Sequence, residues 1–180
     1  MKGPFHDFLL VDRREHDYGD YMELIRDPKA IRLGEDFIWY MNDALKWIPT
    51  INPAMHNEEM FGLCHWGVTA ILPDGAKIAE RIFNAWADLF AVGPAMLTLT
   101  GGWTVPPEWY GFPEEANYYH LALSLPYPWE VDVAQGLPEG ECAELVLNRD
   151  ECVGLLRKLV SWCREVAQSD GEKYILHQGI

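Results

Sequence analysis

No lysine or arginine stands between Ile82 and Asn148. Basic residues are scarce in the whole chain, 14 against 28 acids, which leaves a formal charge of −14. Phosphate capture runs on Lys and Arg, so nucleic acid and anionic membrane are set aside as partners. Cysteine is equally thin: Cys64, Cys142, Cys152 and Cys163, with no C-x-x-C pair. Four thiols in a chain of 180 residues do not make a disulfide scaffold, and a reducing, cytoplasmic setting is expected. The opening Met-Lys-Gly-Pro-Phe-His-Asp carries no apolar core of a signal peptide. The uncharged run from Leu89 to Val105 is broken by Gly93-Pro94 and Gly101-Gly102, which argues against a membrane span. Also missing are the phosphate-cradling G-x-x-x-x-G-K-[ST], the dinucleotide G-x-G-x-x-G, the serine elbow G-x-S-x-G and the zinc-binding H-E-x-x-H. These absences weaken the case for an enzyme, and no cofactor is expected.

What the stretch Ile82–Asn148 does hold is acid and rings. Its carboxylates are Asp88, Glu108, Glu114, Glu115, Glu130, Asp132, Glu139, Glu141 and Glu144. Among them stand Phe83, Trp86, Phe90, Trp103, Trp109, Tyr110, Phe112, Tyr118, Tyr119, Tyr127 and Trp129. The densest part is Pro106 to Glu115, Pro-Pro-Glu-Trp-Tyr-Gly-Phe-Pro-Glu-Glu. Negative charge speeds the encounter with a basic protein, and rigid rings supply the hold. Glu108, Trp109, Tyr110, Phe112, Glu114 and Glu115 are therefore the candidate partner-binding residues. The plainer reading is that the rings are core and the acids keep the chain soluble.

The length suits one domain over residues 1–180 with a substantial core. A first strand is expected at Phe5–Val11, a short helix at 19–26 stopped by Pro28, and a helix at 34–48. In the last of these Phe37, Ile38, Met41, Leu45 and Ile48 share a face. Residues 49–65 read as a loop and 66–72 as a strand. A helix is expected over 76–92, with Asp74 as its cap and Ile78, Ile82, Phe83, Trp86, Leu89 and Phe90 on one face. Strands follow at 95–100, at 117–125 where Tyr119, Leu121, Leu123 and Leu125 alternate with smaller or polar residues, around Trp129–Val133, and at 141–147. Asn148 caps a last helix with the stripe Cys152, Leu155, Leu156, Leu159, Val160, Cys163, Val166 and Ala167, Gly171 ends it, and Lys173–His177 closes the chain as a strand. Helices among strands in no strict alternation predict an α+β fold: a mostly antiparallel sheet with several helices packed on one face.

For chemistry, the best metal candidates are His56, Glu59, Cys64 and His65, whose donor types suit zinc although their spacing matches no known pattern. No metal is expected on that ground. A Cys64–His65 or Cys64–His56 nucleophile pair needs an orienting base that adjacency cannot supply. Paired acids for glycoside hydrolysis would fall on Glu108, Glu114 and Glu115.

Four features, Trp66-Gly67, Gly101-Gly102-Trp103, the capped helix from Asn148 and the terminal Lys-Tyr-Ile-Leu-His-Gln-Gly-Ile from Lys173, span Cys64 to Ile180. Through them the chain resembles the immunity proteins of bacterial polymorphic-toxin systems, of the kind paired with toxins that bear a restriction-endonuclease-like nuclease domain. The resemblance implies an α+β fold, no catalysis, and a cytoplasmic protein that neutralises its cognate toxin by tight binding. It carries no binding residue over by motif. Two other readings stand beside it: a small cytoplasmic hydrolase or metal-dependent enzyme with its site near His56–His65, and an assembly module that forms a homodimer through its aromatic surface.

Overall fold

The computed structural model describes residues 5–25, 27–103 and 142–179, without the side chains of Asp36, Thr100–Trp103 and Cys142–Leu145. Six strands, β1 (Phe5–Asp12), β2 (Ile31–Gly34), β3 (Pro49–Asn52), β4 (Glu58–Phe61), β5 (Val68–Ile71) and β8 (Lys173–Gln178), form one sheet in the order β2-β1-β8-β5-β3-β4. Every neighbouring pair in it is antiparallel. Two further strands, β6 (Met96–Trp103) and β7 (Cys142–Asn148), make a separate antiparallel ribbon. Among the described residues three α-helices complete the frame: α1 (Glu35–Leu45), α2 (Pro73–Ala91) and α3 (Arg149–Ala167). The fold is α+β, as the mixed pattern of elements predicts.

Strand alternation assigns the two faces of the sheet. Phe8, Ile71 and Ile175 turn toward the helices and join a core with Phe37, Ile38, Met41, Phe83, Leu156, Leu159 and Cys163. Leu9, Val11, Val68, Ala70, Tyr174 and Leu176 turn the other way, where a 3-10 turn at Tyr18–Leu24 contributes Leu24, with Tyr18 and Tyr21 packed alongside. The middle strands are buried on both sides, and consecutive residues of β5 and β8 are therefore buried without alternation.

The helices form where cap and stripe agree. The Asn148 side chain accepts the Glu151 N–H at 3.0 Å and starts α3. The burial of Cys152, Leu156, Leu159, Val160, Cys163 and Val166 follows the expected stripe. That helix ends earlier than Gly171, at a Gln168 cap, and Gly171 with its φ of 86° instead makes the turn into β8. Two expectations for α2 need correction. Asp74 is not its cap, since the helix starts at Pro73 and Asp74 pairs with Lys77. Its buried face is Ala76, Ala79, Ile82, Phe83, Ala87 and Phe90, leaving Ile78 and Leu89 outside. The small alanines let α3 pack closely along it.

The loop expected over 49–65 is largely a hairpin, β3 with β4, whose Glu-Glu-Met-Phe strand shows no alternation because β4 lies at the sheet edge and is mostly exposed. Strand β6 likewise runs beyond the expected end at residue 100, through Gly101-Gly102 to Trp103, with an irregularity in the ladder between Thr100 and Trp103. The expected strands at 117–125 and 129–133, and the candidate residues Glu108, Trp109, Tyr110, Phe112, Glu114 and Glu115, lie outside the described residues.

Candidate functional site

On the helix-facing side of the sheet, two residues beyond the apolar Phe8 and Ile175, the pattern turns polar. His6 of β1, Thr69 of β5 and His177 of β8 are all fully buried there. Alternation puts them on one face, and the ladder pairs His177 with Phe8 and with Thr69. Helix α1 brings Glu35 over them. Glu35 is its first residue, so its carboxylate sits where the free N–H groups favour negative charge.

A third ring comes from the β4–β5 connection. His65 sits along one side of α1, on residues spaced four and then three apart: Glu35, Trp39 and Asn42. Its Nδ1 lies 3.2 Å from Glu35 Oε1 and its Nε2 lies 3.3 Å from Asn42 Oδ1, while its ring stacks on Trp39 at 4.5 Å between centroids. The connection is held in three places. The Cys64 N–H donates to Thr69 Oγ1 at 2.8 Å, and the Gly179 N–H donates to the Gly67 carbonyl at 2.7 Å. Gly179 also lies flat against the carbonyls of Cys64 and His65, where an added Cβ would come within 2.4 Å of both oxygens. The Trp66-Gly67 and Lys173–Ile180 motifs, remote in sequence, thus meet in space.

A continuous line of polar contacts results. His6 Nε2 bonds to Glu35 Oε2, and His6 Nδ1 lies 2.7 Å from His177 Nε2. His6 also stacks on His177 and meets His65 edge-on, with centroids at 4.9 and 5.3 Å. Burial alone would raise the Glu35 carboxyl, but hydrogen bonds from His6 and His65, with their charge, outweigh it and hold it at about 2. Burial, aided by the charges on His6 and His65, pushes His177 well below the ordinary histidine value and keeps it neutral.

The protons follow from these contacts. Both nitrogens facing the Glu35 anion must donate. His177 Nδ1 is buried with no partner among the described residues. A bare lone pair there is cheaper than an orphaned N–H, so the His177 proton belongs on Nε2, donating to His6 Nδ1. His6 Nδ1 then accepts, and His6 Nε2 donates to the carboxylate.

No family model matches the chain, and neither a curated protein nor a solved structure does.

Of the residues singled out from the sequence, only His65 enters this cluster. His56 and Glu59 are exposed, His56 on a left-handed turn at φ 55° and Glu59 on β4 opposite Ile51. Both nitrogens of His65 face groups other than Cys64, so the adjacent pair is not assembled as nucleophile and base. His6, Glu35 and His177 were missed. The available signal was period two: His6 falls in step with Phe8, and His177 with Ile175, both at core positions.

A second feature lies beside the cluster. Phe61 is 72% exposed and Trp47 66% exposed, at the end of the β3–β4 hairpin where the Gly62 N–H meets the Ile48 carbonyl. Trp66 and Trp39, each about half exposed, flank His65. Trp47 also walls a groove of about 400 Å³ with Ile78, Ile82 and Trp86. Exposed acids Asp43, Glu58 and Glu59 lie on the same elements.

Proposed function

We propose that the protein is an inhibitor that neutralises a basic toxin, a nuclease by preference, through tight binding of an acidic and aromatic surface in the cytoplasm. It would act as an immunity protein and need no catalysis of its own. The observation that carries the reading is the exposure of four large rings, Trp39, Trp47, Phe61 and Trp66, on a chain with a charge of −14. Exposed Trp and Phe are costly to leave in water and are the residue types that anchor protein interfaces. Excess acid attracts a protein built to hold phosphate. The segment Glu108–Glu115 has the same composition and is the sequence-based part of the surface. No helix among the described residues is long and apolar enough to cross a membrane.

The test is to look for a large toxin gene directly upstream and to co-express its product with this chain. Growth should be rescued, and a chain that gives no rescue sinks the reading. Trp47→Ala should weaken toxin binding by about 2 kcal/mol or more if it is an anchor. Reversing Glu58 with Glu59, or Glu114 with Glu115, should slow association and flatten its salt dependence, measured by stopped flow.

A further inference from the structure

The geometry points to a divalent transition-metal site, zinc being the natural occupant, held by His6 Nε2, His65 Nδ1 and the Glu35 carboxylate. These donor atoms all lie within 4.8 Å of one another. Two imidazoles and one carboxylate are a donor set that zinc accepts, at about 2.0–2.2 Å from each, with a fourth position left for water. Three independent elements, β1, α1 and the β4–β5 connection, supply the donors. His6 and Glu35 are buried, and the ring edge of His65, 15% exposed beside half-exposed Trp39, marks the way in.

Hydrogen bonds alone account poorly for the cluster. Three imidazoles and a carboxylate gathered on a core face are expensive to desolvate, and apolar residues of similar volume would serve packing as well. A bound cation explains the gathering. His177 then has a defined part: with His6 ligating through Nε2, its Nδ1–H must donate to His177 Nε2, which fixes the ring that binds the ion. Loading removes one proton from His6 Nε2 and one from His65 Nδ1, while the proton shared between His6 and His177 moves to His6 Nδ1 and His177 takes one on Nδ1, an N–H with no partner among the described residues whose cost the ion's binding must outweigh. The ion would pin the connection that carries Trp66 to the sheet. This site is independent of the toxin-binding reading and stands or falls separately.

The protein, purified without a metal-affinity tag and stripped with a chelator, is titrated with zinc and with cobalt(II). We expect one ion per chain, the visible absorption of a low-coordinate cobalt site, and transfer of the His177 proton from Nε2 to Nδ1 in nitrogen-detected NMR. His65→Ala, on a partly exposed connection, should weaken binding about a hundredfold or more, whereas His56→Ala should leave it within about twofold. Glu35→Gln, which keeps the shape but turns one of the two acceptor oxygens into a donor, should weaken it similarly to His65→Ala. Failure of the stripped wild-type protein to take up either ion overturns the site, whatever the variants do. So does uptake that leaves the His177 tautomer unchanged, or that survives His65→Ala undiminished in a variant with native circular dichroism.

Discussion

One face of the sheet has two ends that obey different rules. At one end Phe8, Ile71 and Ile175 meet the helices with nothing but carbon. Two residues along the same strands, His6, Thr69 and His177 present nitrogen and oxygen, with His6 bonded to Glu35 and to His177 and Thr69 to the Cys64 N–H. The strands, the direction of burial and the covering helix layer are shared, so the fold does not require the second arrangement. Carbon packs without orientation. The polar end tolerates only one arrangement of rings and protons, because each donor left unmatched in the interior costs about 1–3 kcal/mol. That asymmetry separates a solution to packing from a solution to binding.

The comparison can be broken most forcefully at the carbon end. Phe8→Ala should destabilise by about 3–5 kcal/mol in urea unfolding, through lost contact and the cavity it leaves. A loss smaller than that of the next variant would show that the polar end holds the fold instead. Glu35→Ala should cost about 3 kcal/mol, because it strands two imidazole N–H groups. The double change His6→Leu with Glu35→Leu should recover part of that loss, since it removes donor and acceptor together. No recovery would mean that the polar end is itself structural.

Acid should attack only the polar end. The folded state holds His177 neutral below its ordinary value of 6.5, so below that pH the unfolded chain binds a proton that the native state refuses. Stability of the stripped protein is then complete above pH 6.5 and falls as pH drops. Glu35 adds a further loss between its ordinary 4.5 and about 2. Urea midpoints across this range should fall, and His177→Asn should flatten the upper part of the curve. The smallest expected effect is at Thr69→Val, which removes the acceptor for the Cys64 N–H. About 1 kcal/mol should be lost, with faster hydrogen exchange confined to residues 64–67 and the carbon end untouched.

The two ends also differ in how well they can be read in advance. The apolar end writes itself into local pattern: Asn148 with its stripe gives α3, and Phe37, Ile38, Met41 and Leu45 give α1, because neighbours in sequence share the buried face. The polar end joins residues 29 and 171 positions apart, and no local rule links His6 to Glu35 or to His177. His65 drew notice only because His56, Glu59 and Cys64 stood near it, and those neighbours turned out to face elsewhere. Strand β4 was hidden for another reason: an edge strand with exposed acids on it has no buried side to impose a period.

The place of β8 has a consequence for how the chain assembles. It lies between β1 and β5, and among the described strands it is the link between a β1–β2 ribbon and the β3–β4–β5 group. Until Lys173–Gln178 inserts, each half presents a bare row of amides to whatever strand is nearby. Its pairing with β1 closes a loop of more than 160 residues, a slow step by any measure of topology. The sheet should therefore form late and all at once, and the interval before that step is when this protein is most open to aggregation and to proteases.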